Sequence, residues 1–158
     1  MKVISLWNPW AHLVAIGAKR FETRHWTTHH RGVLAIHAAK YFPPEIEGIA
    51  LRKPCRKHWP GRCEVAFGAV VAVALMTDVE PTDSLQARLE GQGNFDEVAY
   101  GDYSAGRYAW RLDHAVRLER PLFIAGHQGL WNLTAEDEEL VRGQMPPGWP
   151  GTPAGGPL

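Results

Sequence analysis

From Val65 to Met76 the chain carries no charged residue and is built almost entirely of valine, alanine, leucine and phenylalanine around Gly68. Twelve residues fall well short of the roughly 20 that a membrane-spanning helix needs. The β-branched content and the lack of a polar face are those of a strand, and of one covered on both sides. The run predicts the central strand of the fold, and the other elements must be arranged around it.

Those elements are short. Lys2 to Leu6 predicts a strand, and Asn8 with Pro9 predicts an N-cap and first turn. A helix follows, with Trp10, Leu13 and Val14 on its apolar face and Gly17 closing it. Strands are expected over 20–25 and 32–38. Pro43 and Pro44 open a short helix carrying Ile46, Ile49 and Ala50, and 83–89 reads as a short helix or loop. Two strands at 107–112 and 115–119 complete the set. Thr134, ahead of Glu136, Asp137, Glu138 and Glu139, predicts a capped terminal helix with acids at its positive end. Five prolines and four glycines occupy the fourteen residues after Gln144, which predicts a domain over 1–144 and a disordered tail over 145–158. Many short strands with few helices point to an α+β fold built on a β-barrel rather than a parallel sheet.

At 158 residues the chain has room for one sizeable core. It shows no signal-peptide pattern and no apolar run of eighteen residues, so a cytoplasmic protein without membrane contact is expected. Two cysteines make no disulfide framework. Cys55, His58 and Cys63 have zinc-like spacing but supply only three ligands. His29 or His30 completes the set only on paper, so no metal and no cofactor is expected. The formal net charge is zero, yet 11 of the 17 Lys and Arg residues and only 3 of the 17 acids lie in 1–62. A surplus of eight positive charges there is mirrored by eight negative charges in 63–158, and the basic half suits a polyanionic partner.

Gly17-Ala18-Lys19-Arg20-Phe21-Glu22-Thr23-Arg24 concentrates chemistry within that half. In an extended strand Glu22, Arg24 and Trp26 share one face, and Phe21 and Thr23 take the other. Lys19 follows the Gly17 turn and is free to curl toward either. Such an acid–base cluster suits recognition of a polar planar ligand, or proton transfer to one. The plain alternative is a solvated Glu–Arg pair worth under ~1 kcal/mol. Trp7 and Trp26 flank the cluster, and stacking on such rings is worth ~1–3 kcal/mol per base; core packing claims Trp110 and suits Trp10 equally well. His25, His29, His30 and Arg31 form a polar loop suited to phosphate contact. His37, within a strand, reads as a core or rim residue. Lys53, Arg56, Lys57 and Arg62, interleaved with Trp59, are a second phosphate-binding candidate, with a solvated loop as the alternative.

Taken in order, the start Ser5-Leu6-Trp7-Asn8-Pro9-Trp10, the Gly17-x-Lys19-x-x-Glu22-x-Arg24 pattern, Tyr108-Ala109-Trp110-Arg111-Leu112 and Gly126-His127-Gln128-Gly129-Leu130-Trp131 resemble the ASCH domain family. The resemblance spans about residues 2–133. It implies a PUA-like fold, a pseudobarrel of mixed strands with short helices at its ends and a C-terminal helix. It also implies a nucleic-acid reader: RNA or another single strand, or a nucleoside, whose base meets Lys19, Glu22, Arg24 and Gln128 beside Trp7, Asn8 and Trp26. A carboxylate at Glu22 is the natural acceptor for an exocyclic amine such as that of cytosine. Some relatives are instead small hydrolases, N4-acetylcytidine amidohydrolases or ribonucleases. That resemblance would make Lys19 catalytic with Glu22, which stands where those amidohydrolases have threonine, and with Glu90 or Glu97 as the further carboxylate. A third reading is a protein-interaction module of a transcription or translation complex.

Overall fold

From Ala69 onward the uncharged run becomes the first part of a long strand that lies inside a six-stranded sheet. In the computed structural model, which describes residues 1–150, the elements are β1 (Lys2–Leu6), α1 (Trp10–Ala15), β2 (Phe21–Arg24), β3 (Gly32–Ala38), α2 (Pro44–Ala50), β4 (Ala69–Pro81), α3 (Thr82–Gly91), α4 (Phe95–Ala99), β5 (Tyr108–Phe123), β6 (Leu130–Asn132) and α5 (Ala135–Arg142). The strands are ordered β2-β5-β4-β3-β1-β6. β1 and β3 run parallel and every other neighbouring pair is antiparallel.

Both faces of this sheet are covered, which is why β4 needs no polar side. Ile4, Leu6, Leu34, Ile36, Ala72, Ala74 and Trp110 pack with Ala11 and Val14 of α1. Val3, Ala35, Val70, Val73 and Leu118 pack on the opposite face with Leu133 and with Val141 of α5. The β4–β5 pairing slips at three places and β3–β4 at one, between Ile36 and His37. Each such bulge bends and twists its strand, so the sheet curls into a mixed-strand half-barrel of the expected α+β kind. Its edge strands, β2 and β6, are not hydrogen-bonded to each other.

Several boundaries differ from expectation. The two strands foreseen at 107–112 and 115–119 are one strand of 16 residues, because its bulges absorb the polar interruptions that read as a turn. β6 and α4 were not foreseen: three residues, or five, are too few to show a period. α1 starts at Trp10 with Pro9 at the cap position, and the Asn8 side chain still accepts from His12 N, at 3.2 Å. Thr134 caps α5 as expected, accepting from Asp137 N at 3.1 Å. The packed chain also runs past the 144 boundary. Trp149 is buried in the α5-side cluster beside Met145, and its Nε1 donates to His114 O at 2.8 Å. Proline and glycine content outweighed one large aromatic in that expectation. The remainder of the foreseen tail, 151–158, lies outside the described residues. Among the described residues no helix is long and apolar enough to cross a membrane.

Candidate functional site

β2 is an edge strand only four residues long, and its register against β5 sets Glu22 opposite Trp110 and Arg24 opposite Tyr108. Gly17, at φ +73°, ends α1 in the left-handed conformation and turns the chain so that Lys19 folds inward. Lys19 is 1% exposed. Its Nζ donates to Phe21 O and stands 3.7 Å from Glu22 Oε2. On the other side of that carboxylate, Arg24 Nε lies 3.0 Å from Glu22 Oε1. This is an ion contact rather than an aligned hydrogen bond, because the buried Nε–H has no acceptor in line with it. Arg24 Nη2 donates to Ser5 O at 3.1 Å, tying β2 to β1 across the mouth of the half-barrel. Lys19, Glu22 and Arg24 thus form one chain of alternating charge.

The chain lies in a cleft of about 1550 Å³. Trp7, Trp10, Trp26, Lys40, Tyr41, Tyr100, Asp102, Arg107, Phe123 and Gln128 also line it. Trp26 packs edge-on against the buried Trp110, with ring centres 4.6 Å apart. Below the floor, the Glu97 carboxylate accepts from Arg20 N at 2.9 Å and Phe21 N at 3.1 Å, so α4 fixes the strand that carries the motif. Burial pushes the Glu97 carboxyl upward, while Lys19 and the two backbone donors pull it back. The buried Tyr100 hydroxyl is pushed up to about 12, by desolvation first and nearby acids next.

Opposite β2, the wall is the segment from Ile124 to Gly129. His37 is held there by its Nε2 contact with Ile124 O, at 3.0 Å. A side chain on Gly126 would place its Cβ 2.4 Å from His37 Cε1, so this close approach requires glycine. Burial, aided by His127, lowers the His37 pKa.

The structure therefore gathers Lys19, Glu22, Arg24, Trp7, His25, Trp26 and Gln128 around one cleft, with His37 in its wall, and leaves Asn8, His29, Arg31, Lys53, Arg56, Lys57 and Arg62 outside its lining. Asn8 is buried and donates to Ala66 O at 3.1 Å, a fastening between α1 and the start of β4. His29 is exposed, and Arg31 donates to Thr28 O and His30 O. Lys53, Arg56, Lys57 and Arg62 are exposed on the loop after α2. Lys57 pairs with Asp96, and the Arg62 guanidinium lies over the Phe42 and Phe67 rings at 5.7 and 5.6 Å. Of the two glutamates considered for hydrolysis, Glu90 is exposed and bonded to Gln86, and neither it nor Glu97 lines the cleft. Cys55 is buried and Cys63 exposed. Among the described residues no group of three or more histidine, cysteine or acidic side chains is placed to hold a metal. Sequence reasoning missed Lys40, Tyr41, Arg107 and Phe123. A lysine and a tyrosine directly after the core strand β3, and a phenylalanine closing β5, were the signals to be found.

The ASCH domain family model matches residues 4–121 of the chain. No curated protein sequence matches it. Among solved structures, the ASCH protein of Zymomonas mobilis is similar, with a TM-score of 0.57 at 19% identity, over 90% of this chain and 93% of that one. A variant of the same protein gives 0.57 at 18%, over 90% and 96%. These likenesses confirm the PUA-like fold. With the family pattern running through most of its length, from β1 to the end of β5, the chain belongs to the ASCH domain family.

Proposed function

We propose that the protein is a nucleic-acid reader that takes a base of single-stranded RNA, plain or modified, into the cleft at Glu22. The observation that carries this reading is the Lys19–Glu22–Arg24 chain, buried at Lys19 and Glu22 and half-buried at Arg24, opening onto an aromatic-lined cleft. A carboxylate has about four lone-pair sites, and Lys19 and Arg24 each stand in ion contact with one oxygen without an aligned hydrogen bond to it. Glu22 retains acceptor capacity for an exocyclic amine, and the remaining guanidinium donors of Arg24 suit the adjacent ring nitrogen and carbonyl. A pyrimidine carrying an amine fits that donor–acceptor order. Trp26, wedged against Trp110, offers an aromatic surface at the same place.

The hydrolase reading gains less. In the cleft the carboxylate beside Lys19 is Glu22, which stands in ion contact with both Lys19 and Arg24, and Lys19 Nζ is anchored to a backbone carbonyl. Titrating short single-stranded RNAs of one base against another tests the proposal. Cytosine-rich strands should bind more tightly than uracil-rich ones, and Glu22→Gln should shrink that preference by about 1–3 kcal/mol. Equal binding of all bases would refute the reading of the site. Steady deacylation of an N4-acylated cytidine, or strand cleavage, by the unaltered protein would put the hydrolase first.

A further inference from the structure

Resting on that reading, we propose that the natural ligand is a strand of at least two nucleotides rather than a free nucleoside. The neighbouring base stacks on a platform of Trp7 and Tyr41, and Lys40 holds the linking phosphate. The cleft, at about 1550 Å³, exceeds the ~300–1,000 Å³ typical of small-molecule pockets. Its rim also collects exposed rings. Of the four Trp, Tyr and Phe side chains that are strongly exposed among the described residues, Trp7 (42%), Tyr41 (67%) and Phe123 (69%) line the cleft, and only Phe95 does not. Exposed rings concentrated at one opening mark a contact surface.

Local structure builds the platform. β1 and β3 end side by side, and Ala39 N donates to Leu6 O at 2.8 Å, which brings Tyr41 next to Trp7. The two rings meet edge to face, with centres 6.1 Å apart and planes at 71°. Lys40 stands between Tyr41 and the core strand, its stem passing over Gly68. It is exposed and has no ion pair among the described residues. The other cleft cations are committed: Lys19 and Arg24 to Glu22, and Arg107 to Asp102 at 3.4 Å and to Thr23 O at 3.3 Å. A single uncommitted ammonium beside an aromatic pair has the chemistry for one phosphate and one base, and stacking on a ring face tolerates every base, so this subsite should be largely indifferent to sequence.

The test compares cytidine, the dinucleotide cytidylyl-adenosine and cytidylyl-uridine by equilibrium titration at several salt concentrations. Both dinucleotides should bind at least 10-fold more tightly than cytidine and within a few-fold of each other. Tyr41→Ala should cut the dinucleotide-to-cytidine ratio several-fold, and Lys40→Gln should lower the dinucleotide salt slope by about 0.7. Phe95→Ala, an exposed ring off the cleft, should leave every constant unchanged. Cytidine binding with no gain for the dinucleotide, or a gain that Tyr41→Ala leaves undiminished, overturns this inference and leaves the reader intact. Absence of binding by all three overturns both.

Discussion

Two lysine–carboxylate pairs, Lys19 with Glu22 and Lys57 with Asp96, show how differently one chemistry can be used. In the first, the lysine side chain is 1% and the glutamate 11% exposed; in the second the values are 52% and 49%. Water screens the loop pair, and its geometry costs side-chain freedom, so it stabilises little. At the cleft, each partner has lost most of its water and depends on the other. Lys19 was drawn inward by a glycine turn and a backbone carbonyl, not by charge alone. The basic half of this sequence is therefore two things: a small buried cluster that shapes a site, and a larger solvated set that shapes the field around it.

Removing the acid from each pair gives the widest separation. Glu22→Ala should destabilise the protein by about 3–5 kcal/mol, because it leaves Lys19 buried without its carboxylate. Asp96→Ala should cost no more than about 1 kcal/mol. Urea denaturation of both variants measures this, and similar losses would show that burial does not divide the two regions.

A smaller effect belongs to the wall facing the pair. Gly126→Ala must push His37 or the Ile124–Gly129 segment aside, at a cost of about 1–3 kcal/mol. Binding in the cleft should weaken with it. An unchanged melting temperature would mean that the wall yields freely and does not frame the site.

Acid should loosen both regions, since a neutral histidine fastens each. Burial lowers the pKa of His37, bonded to Ile124 O at the cleft wall, and of His12, bonded at 3.0 Å to His58 O in the loop. Below about pH 6.5 the unfolded chain takes up protons that these folded sites refuse. Their stabilisation is thus complete above pH 6.5 and is lost as pH falls through the lowered folded values. The slope of stability against pH between 6.5 and 5 should flatten in His37→Gln; a slope equal to that of the unaltered protein would remove His37 from the linkage.

Much of this was legible in the residues. An uncharged β-branched run of this length reads as a covered strand, so β4 was evident, and the adjacent apolar residues Val3 and Ile4, which point to opposite faces of β1, matched a sheet buried on both faces. The motif at Lys19, Glu22 and Arg24 was readable because two-residue spacing survives in any strand. The rest depended on tertiary distance. Nothing local says that Tyr41 meets Trp7, since their contact is made by parallel strands whose ends happen to coincide. Nor could charge density along 52–62 reveal that this loop stands outside the cleft lining, because linear clustering carries no direction. Glu97 was a candidate acid by type; its partners, two backbone N–H groups of the motif strand, could be seen only once α4 was in place.

The smallest effect concerns the solvated set itself. Lys53 and Arg56 are exposed, have no ion pair among the described residues and do not line the cleft. If the loop serves the field and the cleft serves recognition, reversing both residues to glutamate should spare stability and leave the preference for one base over another intact. A dinucleotide, confined to the cleft, should bind almost as before. A strand of twelve nucleotides reaches beyond it, and its affinity should fall for every sequence alike, with a salt slope reduced by up to about 1.4, or ~0.7 for each lost phosphate contact. An unchanged slope for the long strand would show that these cations touch no phosphate. A changed base preference would do more damage, because it would place the loop inside the recognition site and erase the division between the two regions.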